Sequence, residues 1–260
     1  MKLKFKVQPY QTTAVESVID CFAGQVNSAG VTYRIDPGRK KISDSEYVDN
    51  LHELQGFKNA DCQLSDAQLL ANIQAVQRRQ NLPLSKALDD FYVKDERKKC
   101  FAPAAATYKK DAKSICSLHL DIEMETGTGK TMVYLRTIME LHRRFGENKF
   151  IIVVPSRAIK AGVEDSLNKM RDYLSDIHNT DKYRSFVYDS KQVSQIQTFA
   201  NSNFDIMLTT IQAFNSGNNV INQEYSEGFF GGKPLEIIQE ANPIVIIDEP
   251  QSVAATDAGK

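Results

Sequence analysis

Residues 118–131 read Leu-His-Leu-Asp-Ile-Glu-Met-Glu-Thr-Gly-Thr-Gly-Lys-Thr, and the fold turns on them. Apolar and polar residues alternate from Leu118 to Met124, the period-two pattern of a strand. From Thr131 to Phe145 the apolar positions take up helical spacing. Between these two patterns, Met124-Glu125-Thr126-Gly127-Thr128-Gly129-Lys130-Thr131 sits in the strand–turn–helix setting that a phosphate-binding loop requires. Phosphates carry dense negative charge and many acceptors. A glycine-rich turn lets successive backbone N–H groups converge on them, and the amino end of a helix adds a favourable dipole. Thr126, Gly127, Thr128 and Gly129 form the expected cradle, in which the two glycines permit the turn and the close approach. Lys130 is expected to reach the outer phosphates of a nucleotide, and the Thr131 hydroxyl to ligate Mg²⁺. The strict pattern has Gly or Ala where this chain has Met124, a departure that leaves the cradle glycines intact.

Beyond the loop, short apolar runs alternate with helical ones. Strands are read at Phe150–Val154, Ser185–Tyr188, Phe204–Thr209 and Pro243–Ile247. Ser156 offers an N-cap for a helix carrying Ile159, Val163, Leu167, Met170 and Leu174. A further helix carries Val193, Ile196 and Phe199. Alternating strand and helix predicts an α/β fold with a parallel sheet flanked by helices. The unbroken apolar run before Asp248 predicts a strand buried on both faces.

That run leads directly into Asp248-Glu249-Pro250-Gln251. Carboxylates at the carboxyl end of a buried parallel strand face the ligand crevice of such a sheet. Asp248 is placed to hold Mg²⁺, and Glu249 to orient or deprotonate an attacking water. Alone, an apolar run ending in Asp-Glu is equally a strand meeting a solvated turn. Paired with a phosphate loop whose lysine lies 118 residues earlier (248 minus 130), it points to Mg-dependent nucleoside triphosphate hydrolysis.

Upstream, a helix is expected over residues 13–23, with Thr13 and Glu16 as a capping box and Gly24 as its stop. The preceding Gln8-Pro9-Tyr10-Gln11 is read as a turn or an extended lead-in. Residues 26–117 are less regular and are read as an insertion of unassigned role. Within it, Val31–Ile35 reads as a strand and Asp36-Pro37-Gly38 as a turn. Leu69, Leu70, Ile73 and Val76 mark an amphipathic helix closed by Asn81 and Pro83. Lys94–Lys113 is a basic stretch, read first as a solvated surface and second as a nucleic-acid contact.

Composition sets the outer limits. Of 260 residues, 42% are apolar and 25% charged, which excludes disordered, collagen-like and mucin-like classes. Lys plus Arg total 32 against 33 Asp plus Glu, so there is no wholesale basic coat, although a local basic groove stays possible. No stretch approaches the roughly 18 apolar residues of a membrane span. The opening residues lack the apolar core of a signal peptide. Four dispersed cysteines and four dispersed histidines give neither a disulfide framework nor a zinc signature. A reducing, cytoplasmic setting is expected.

Taken in order, these motifs resemble the first RecA-like motor domain of superfamily-two helicases and translocases, and specifically the Res subunit of type III restriction-modification enzymes. Tyr10-Gln11 followed by Ala14-Val15 resembles the family's Q-tip motif, and Met124–Thr131 its motif I. Val153–Arg157 resembles motif Ia, Thr209–Asn215 motif Ib, and Asp248–Ser252 motif II. Asp-Glu-Pro in that last motif points to the type III branch. The resemblance implies ATP and Mg²⁺ as cofactors, with Gln11 reading adenine through a two-point amide contact. It implies that Pro155, Ser156, Arg157, Thr209 and Thr210 line a track for the DNA backbone, where hydroxyls and backbone amides suit phosphate contact without base reading. It also implies a separate methyltransferase (Mod) subunit as partner.

The resemblance divides the chain into a Q-tip segment and helix (1–25), the insertion (26–117) and a RecA-like ATPase domain (118–260). The chain stops twelve residues after Asp248 (260 minus 248). It is therefore expected to be the front part of a longer motor–nuclease subunit. The family's second RecA-like domain supplies arginines to the transition state, so the chain alone is expected to hydrolyse ATP slowly and neither to translocate nor to cut DNA. Two other readings stay open: another superfamily-two helicase or translocase domain, and a truncated, non-catalytic ATP-binding module.

Overall fold

The structure is a computed structural model. It describes residues 6–28, 57–88, 118–214, 219–223 and 233–250, with the backbone of short strands at 33–35, 40–43, 46–48, 54–56, 92–95 and 100–103. The expected turn at Asp36-Pro37-Gly38, most of the Lys94–Lys113 stretch, and Asn215, Gln251 and Ser252 lie outside the described residues. Contacts divide the chain into two compact units, Met1–Val26 with Cys62–Glu140, and Asn27–Asp61 with Leu141–Gly259. The stretch read as an insertion contributes residues to both.

In the first unit, α1 spans Pro9–Cys21 with Gln8 as an extended N-cap. A proline at the first helical position presets φ and lacks an N–H that would go unpaired there. The helix thus starts before Thr13, and Tyr10 and Gln11 lie in its first turn rather than in a turn or extended lead-in. The Thr13–Glu16 capping box does not form, because the Thr13 hydroxyl instead donates to the Pro9 carbonyl at 3.1 Å. Helix α2, Asp66–Arg79, begins with a complete capping box between Ser65 and Gln68. It ends where expected, with Asn81 in the left-handed region at φ 56°. Asn72 Nδ2 donates to the Cys21 and Ala23 carbonyls at 3.2 and 2.9 Å, satisfying groups that the end of α1 leaves unpaired. Helix α3 spans Lys130–Phe145. Its buried Arg136 donates from both terminal nitrogens to the Thr12 hydroxyl at 3.3 Å, which ties α3 to α1.

The strand expected at Leu118–Met124 is not found: these residues join no ladder among the described residues, and Ile122 is 49% exposed. Alternation encodes a segment with one apolar face, but a strand exists only through backbone bonds to a neighbour, and no sequence pattern supplies that neighbour.

The second unit is built on a four-stranded sheet. Its strands are β1 (Lys149–Val154), β2 (Arg184–Val187), β3 (Asp205–Thr210) and β4 (Ile244–Ile247). All pairings are parallel, in the order β4-β1-β3-β2. Helices α4 (Arg157–His178) and α5 (Ser194–Asn201) carry the chain between strands, and α6 (Pro234–Glu240) precedes β4. Every residue of β1 is buried. Ile151 and Val153 of β1 and Met207 of β3 pack with Ile196 and Phe199 of α5 and Ile238 of α6. Buried Val163, Leu167 and Leu174 form the inner stripe of α4 at helical spacing. Strand β4 departs from the expectation of burial on both faces. Among the described residues it lies at the edge of the sheet, with Val245 and Ile247 exposed and Ile244 and Ile246 half-buried. A continuous apolar run says nothing about where in the sheet the strand lies.

The amino ends of three strands meet in one buried charge cluster. Lys149 and Asp205, each 0% exposed, are register partners, as are Arg184 and Asp205. Asp205 Oδ2 accepts from Arg184 Nε and from the Ser202 hydroxyl, both at 2.8 Å. Lys149 Nζ donates to the Phe199 and Ser202 carbonyls, a cation closing the carboxyl end of α5. Burial pushes the Lys149 ammonium down to about 7, although Asp205 holds it up. Asn59 adds a backbone clamp: its Oδ1 accepts from the Asn148 and Lys149 N–H groups at 2.6 and 2.8 Å, and its Nδ2 donates to the Lys149 carbonyl at 2.8 Å.

Two stability experiments follow from this end of the sheet. Asn59→Ala strands three buried backbone groups and is expected to cost about 2–4 kcal/mol in urea unfolding. Glu147 is buried with Oε2 unpartnered, and burial lifts its carboxyl from 4.5 to about 7. Between those pH values the folded state keeps a proton that the unfolded chain releases. The cost of burying this charge is therefore absent below pH 4.5 and complete above pH 7. Glu147→Gln is expected to raise the thermal midpoint at about pH 8 and to leave it unchanged at about pH 4.

Candidate functional site

In the first unit the site is a turn held by α1. Gly127 and Gly129 have φ of 81° and 84°, left-handed values that glycine adopts without penalty. Lys130 and Thr131 open α3 directly after them, both half-buried. Thr128 closes the turn on itself: its hydroxyl donates to the Glu125 carbonyl at 2.7 Å and its N–H reaches the same oxygen at 3.4 Å. Gln11, 8% exposed, donates from Nε2 to the Thr128 carbonyl at 2.9 Å. The structure thus brings Gln11 onto the glycine loop itself.

The two glycines differ in their surroundings. A Cβ at Gly127 would meet nothing within 4 Å, whereas one at Gly129 would lie 2.7 Å from Gln11 Nε2. The space beside Gly127 is open, and the tight one at Gly129 is where the loop leans on α1.

In the second unit the remaining candidates gather at the carboxyl end of the parallel sheet. The Asp248 N–H continues the β4–β1 ladder by donating to the Val153 carbonyl at 2.9 Å. Glu249 follows with φ 56°, a left-handed conformation that costs a non-glycine residue roughly 1–3 kcal/mol and is concentrated at functional sites. Pro155, Ser156 and Arg157 leave the end of the neighbouring β1. Ser156 is the expected N-cap of α4, its hydroxyl accepting from the Ile159 N–H at 3.3 Å. Arg157 is exposed. Thr210, the last residue of β3, pairs in register with Val154. Thr209 is 1% exposed, so of the two threonines only Thr210 offers a hydroxyl near the surface.

Sequence reasoning placed Tyr10 in the Q-tip motif and Gln212 in motif Ib but gave neither a contact of its own. Tyr10 donates from its hydroxyl to the Thr128 carbonyl at 3.2 Å. Gln212 Nε2 donates to the Pro155 carbonyl at 3.2 Å, joining the turns that follow β1 and β3. Their partners are 118 and 57 residues away, beyond the reach of local pattern. Among the described residues, no group of three or more His, Cys, Asp or Glu side chains could hold a metal, and no helix is long and apolar enough to cross a membrane.

The glycine pair yields a differential test. Gly127→Ala meets only backbone strain, while Gly129→Ala adds a collision with Gln11. Both variants are expected to lower the unfolding midpoint, with Gly129→Ala costing about 1 kcal/mol more in chemical denaturation, the worth of the displaced Gln11–Thr128 hydrogen bond.

Comparison with known proteins places the chain in a family. The family model described as "Type III restriction enzyme, res subunit" matches residues 4–257. The chain is 32% identical over 162 residues to the type III restriction-modification enzyme EcoP15I Res subunit of Escherichia coli, covering 55% of this chain and 17% of that protein. It is 30% identical over 156 residues to the StyLTI Res subunit of Salmonella typhimurium, covering 52% and 16% respectively. It is 31% identical over 150 residues to the EcoPI Res subunit of Escherichia phage P1, covering 50% and 15%. The matched region thus spans about a sixth of the length of these relatives. A parallel sheet flanked by helices, a glycine loop opening a helix, and a family match over nearly the whole chain agree: the chain belongs to the type III restriction enzyme Res subunit family.

Proposed function

We propose that this chain is an ATP-binding and ATP-hydrolysing motor domain of a type III restriction endonuclease subunit, which couples ATP hydrolysis to DNA translocation and cleavage in the whole enzyme. The observation that carries the reading is the pair of left-handed glycines opening α3 at Lys130 and Thr131. Consecutive backbone N–H groups in such a turn form an anion nest, and the first turn of a helix extends it. Thr126, Gly127, Thr128 and Gly129 cradle the phosphates, and Lys130 supplies the positive charge.

Thr131 and Asp248 are assigned to magnesium by residue type and by motif order. An ion bound mainly through nucleotide phosphates needs few protein carboxylates. When bound, magnesium neutralises charge on the phosphates. Glu249 is assigned to orient the attacking water and accept its proton, and its strained backbone supports a functional constraint there. Gln11 is assigned to adenine.

Pro155, Ser156, Arg157, Thr209 and Thr210 are assigned to the DNA backbone. Support is strongest for exposed Arg157 and weakest for buried Thr209. The relatives are named as Res subunits of restriction-modification enzymes, which supports a methyltransferase (Mod) subunit as partner, DNA as substrate and a cytoplasmic setting.

Titration of the chain with ATP and Mg²⁺ tests the reading. Lys130→Ala is expected to weaken ATP binding roughly 10- to 100-fold, the worth of charge-assisted hydrogen bonds. Glu249→Gln is expected to keep ATP affinity while lowering the hydrolysis rate by about 10²–10⁴. Unchanged ATP affinity in Lys130→Ala would overturn the proposal.

A further inference from the structure

The Tyr10 hydroxyl has no part in the nucleotide contacts assigned above, yet it bonds the phosphate loop. Tyr10 Oη and Gln11 Nε2, from consecutive residues of α1, converge on one acceptor, the Thr128 carbonyl oxygen, at 3.2 and 2.9 Å. A carbonyl oxygen has two lone pairs, so two donors suffice to fix its direction. The 128–129 peptide is trans, as are the other described peptides. In a trans peptide the C=O and the following N–H point opposite ways. Holding the Thr128 oxygen against α1 therefore aims the Gly129 N–H away from α1.

The other groups of Thr128 are already committed. Its hydroxyl and N–H both turn to the Glu125 carbonyl, so the residue is held from both sides. Gly129 meets the same constraint sterically, since a Cβ there would displace the Gln11 amide. The latch is also compatible with base reading. An amide has two N–H groups and one C=O, so one N–H on Thr128 leaves Gln11 with a donor and an acceptor.

We propose that Tyr10 is a positioning residue: together with Gln11 it forms a two-donor latch on the Thr128 carbonyl that orients the 128–129 peptide, and so sets the affinity of the loop for polyphosphate independently of the base. The proposal rests on the reading of residues 126–131 as a triphosphate loop. Tyr10 is 49% exposed, so removing its hydroxyl leaves packing intact.

The test is calorimetric binding of MgATP, MgGTP and inorganic tripolyphosphate to the full chain as wild type, Tyr10→Phe and Lys130→Ala, with unfolding midpoints in parallel. Tyr10→Phe is expected to weaken ATP and tripolyphosphate by the same factor, roughly three- to tenfold, the worth of one neutral hydrogen bond. The ratio of ATP to GTP affinity and the unfolding midpoint are expected to stay at wild-type values. Lost tripolyphosphate binding in Lys130→Ala with wild-type binding in Tyr10→Phe overturns the latch and leaves the triphosphate loop standing. A Tyr10→Phe effect confined to ATP, with tripolyphosphate unaffected, overturns it in favour of a base or ribose contact. Wild-type tripolyphosphate binding in Lys130→Ala overturns the loop reading itself, and the latch with it.

Discussion

A single buried carboxylate sets the frame of the sheet. Asp205, at the first position of β3, lies in register with Lys149 on one side and Arg184 on the other. It accepts from the arginine and from Ser202, while Lys149 closes the end of α5. A parallel strand shifted by one residue would separate Asp205 from these partners. Charge pairing at the amino end thus pins β1, β2 and β3 to one register. That register decides which residues emerge at the opposite end: Val154 beside Thr210, and Val153 opposite Ile247, just before Asp248. At the carboxyl end stand Asp248 and the strained Glu249.

The glycine loop follows a similar logic at smaller scale. Its conformation is held by hydrogen bonds: two donors from α1 and the Thr128 side chain. Preorganisation of this kind lowers the cost of ordering a loop when an anion arrives. It also gives two reasons for the unequal settings of the glycines, since Gly127 faces open space and Gly129 faces the glutamine amide.

Much of the architecture was legible in the residues. Strand and helix alternation after residue 149 predicted the parallel sheet, and Ser156 was read correctly as an N-cap because capping is local chemistry. Three readings failed, two of them for one reason. Leu118–Met124 has a strand's alternation but joins no described ladder, the run at Ile244–Ile247 lies half-exposed at the edge of the sheet among the described residues, and Thr13 was displaced as helix start by Pro9. In the first two, pairing and edge position belong to the sheet and not to the segment. In the third, two local signals competed and the proline at the first helical position prevailed.

The sequence by itself determined the chemistry on offer: which residues carry the glycine-loop amides, an ammonium, a hydroxyl and two carboxylates, and in what order. That is a matter of residue type and short spacing, which physical rules read directly. Only the tertiary structure decided how those groups are held. Tyr10 and Gln11 reach the Thr128 carbonyl across more than a hundred residues of chain, and Asn59 clamps the start of β1 across ninety. Such contacts depend on where the folded backbone brings a donor to an acceptor, and no local pattern encodes that distance.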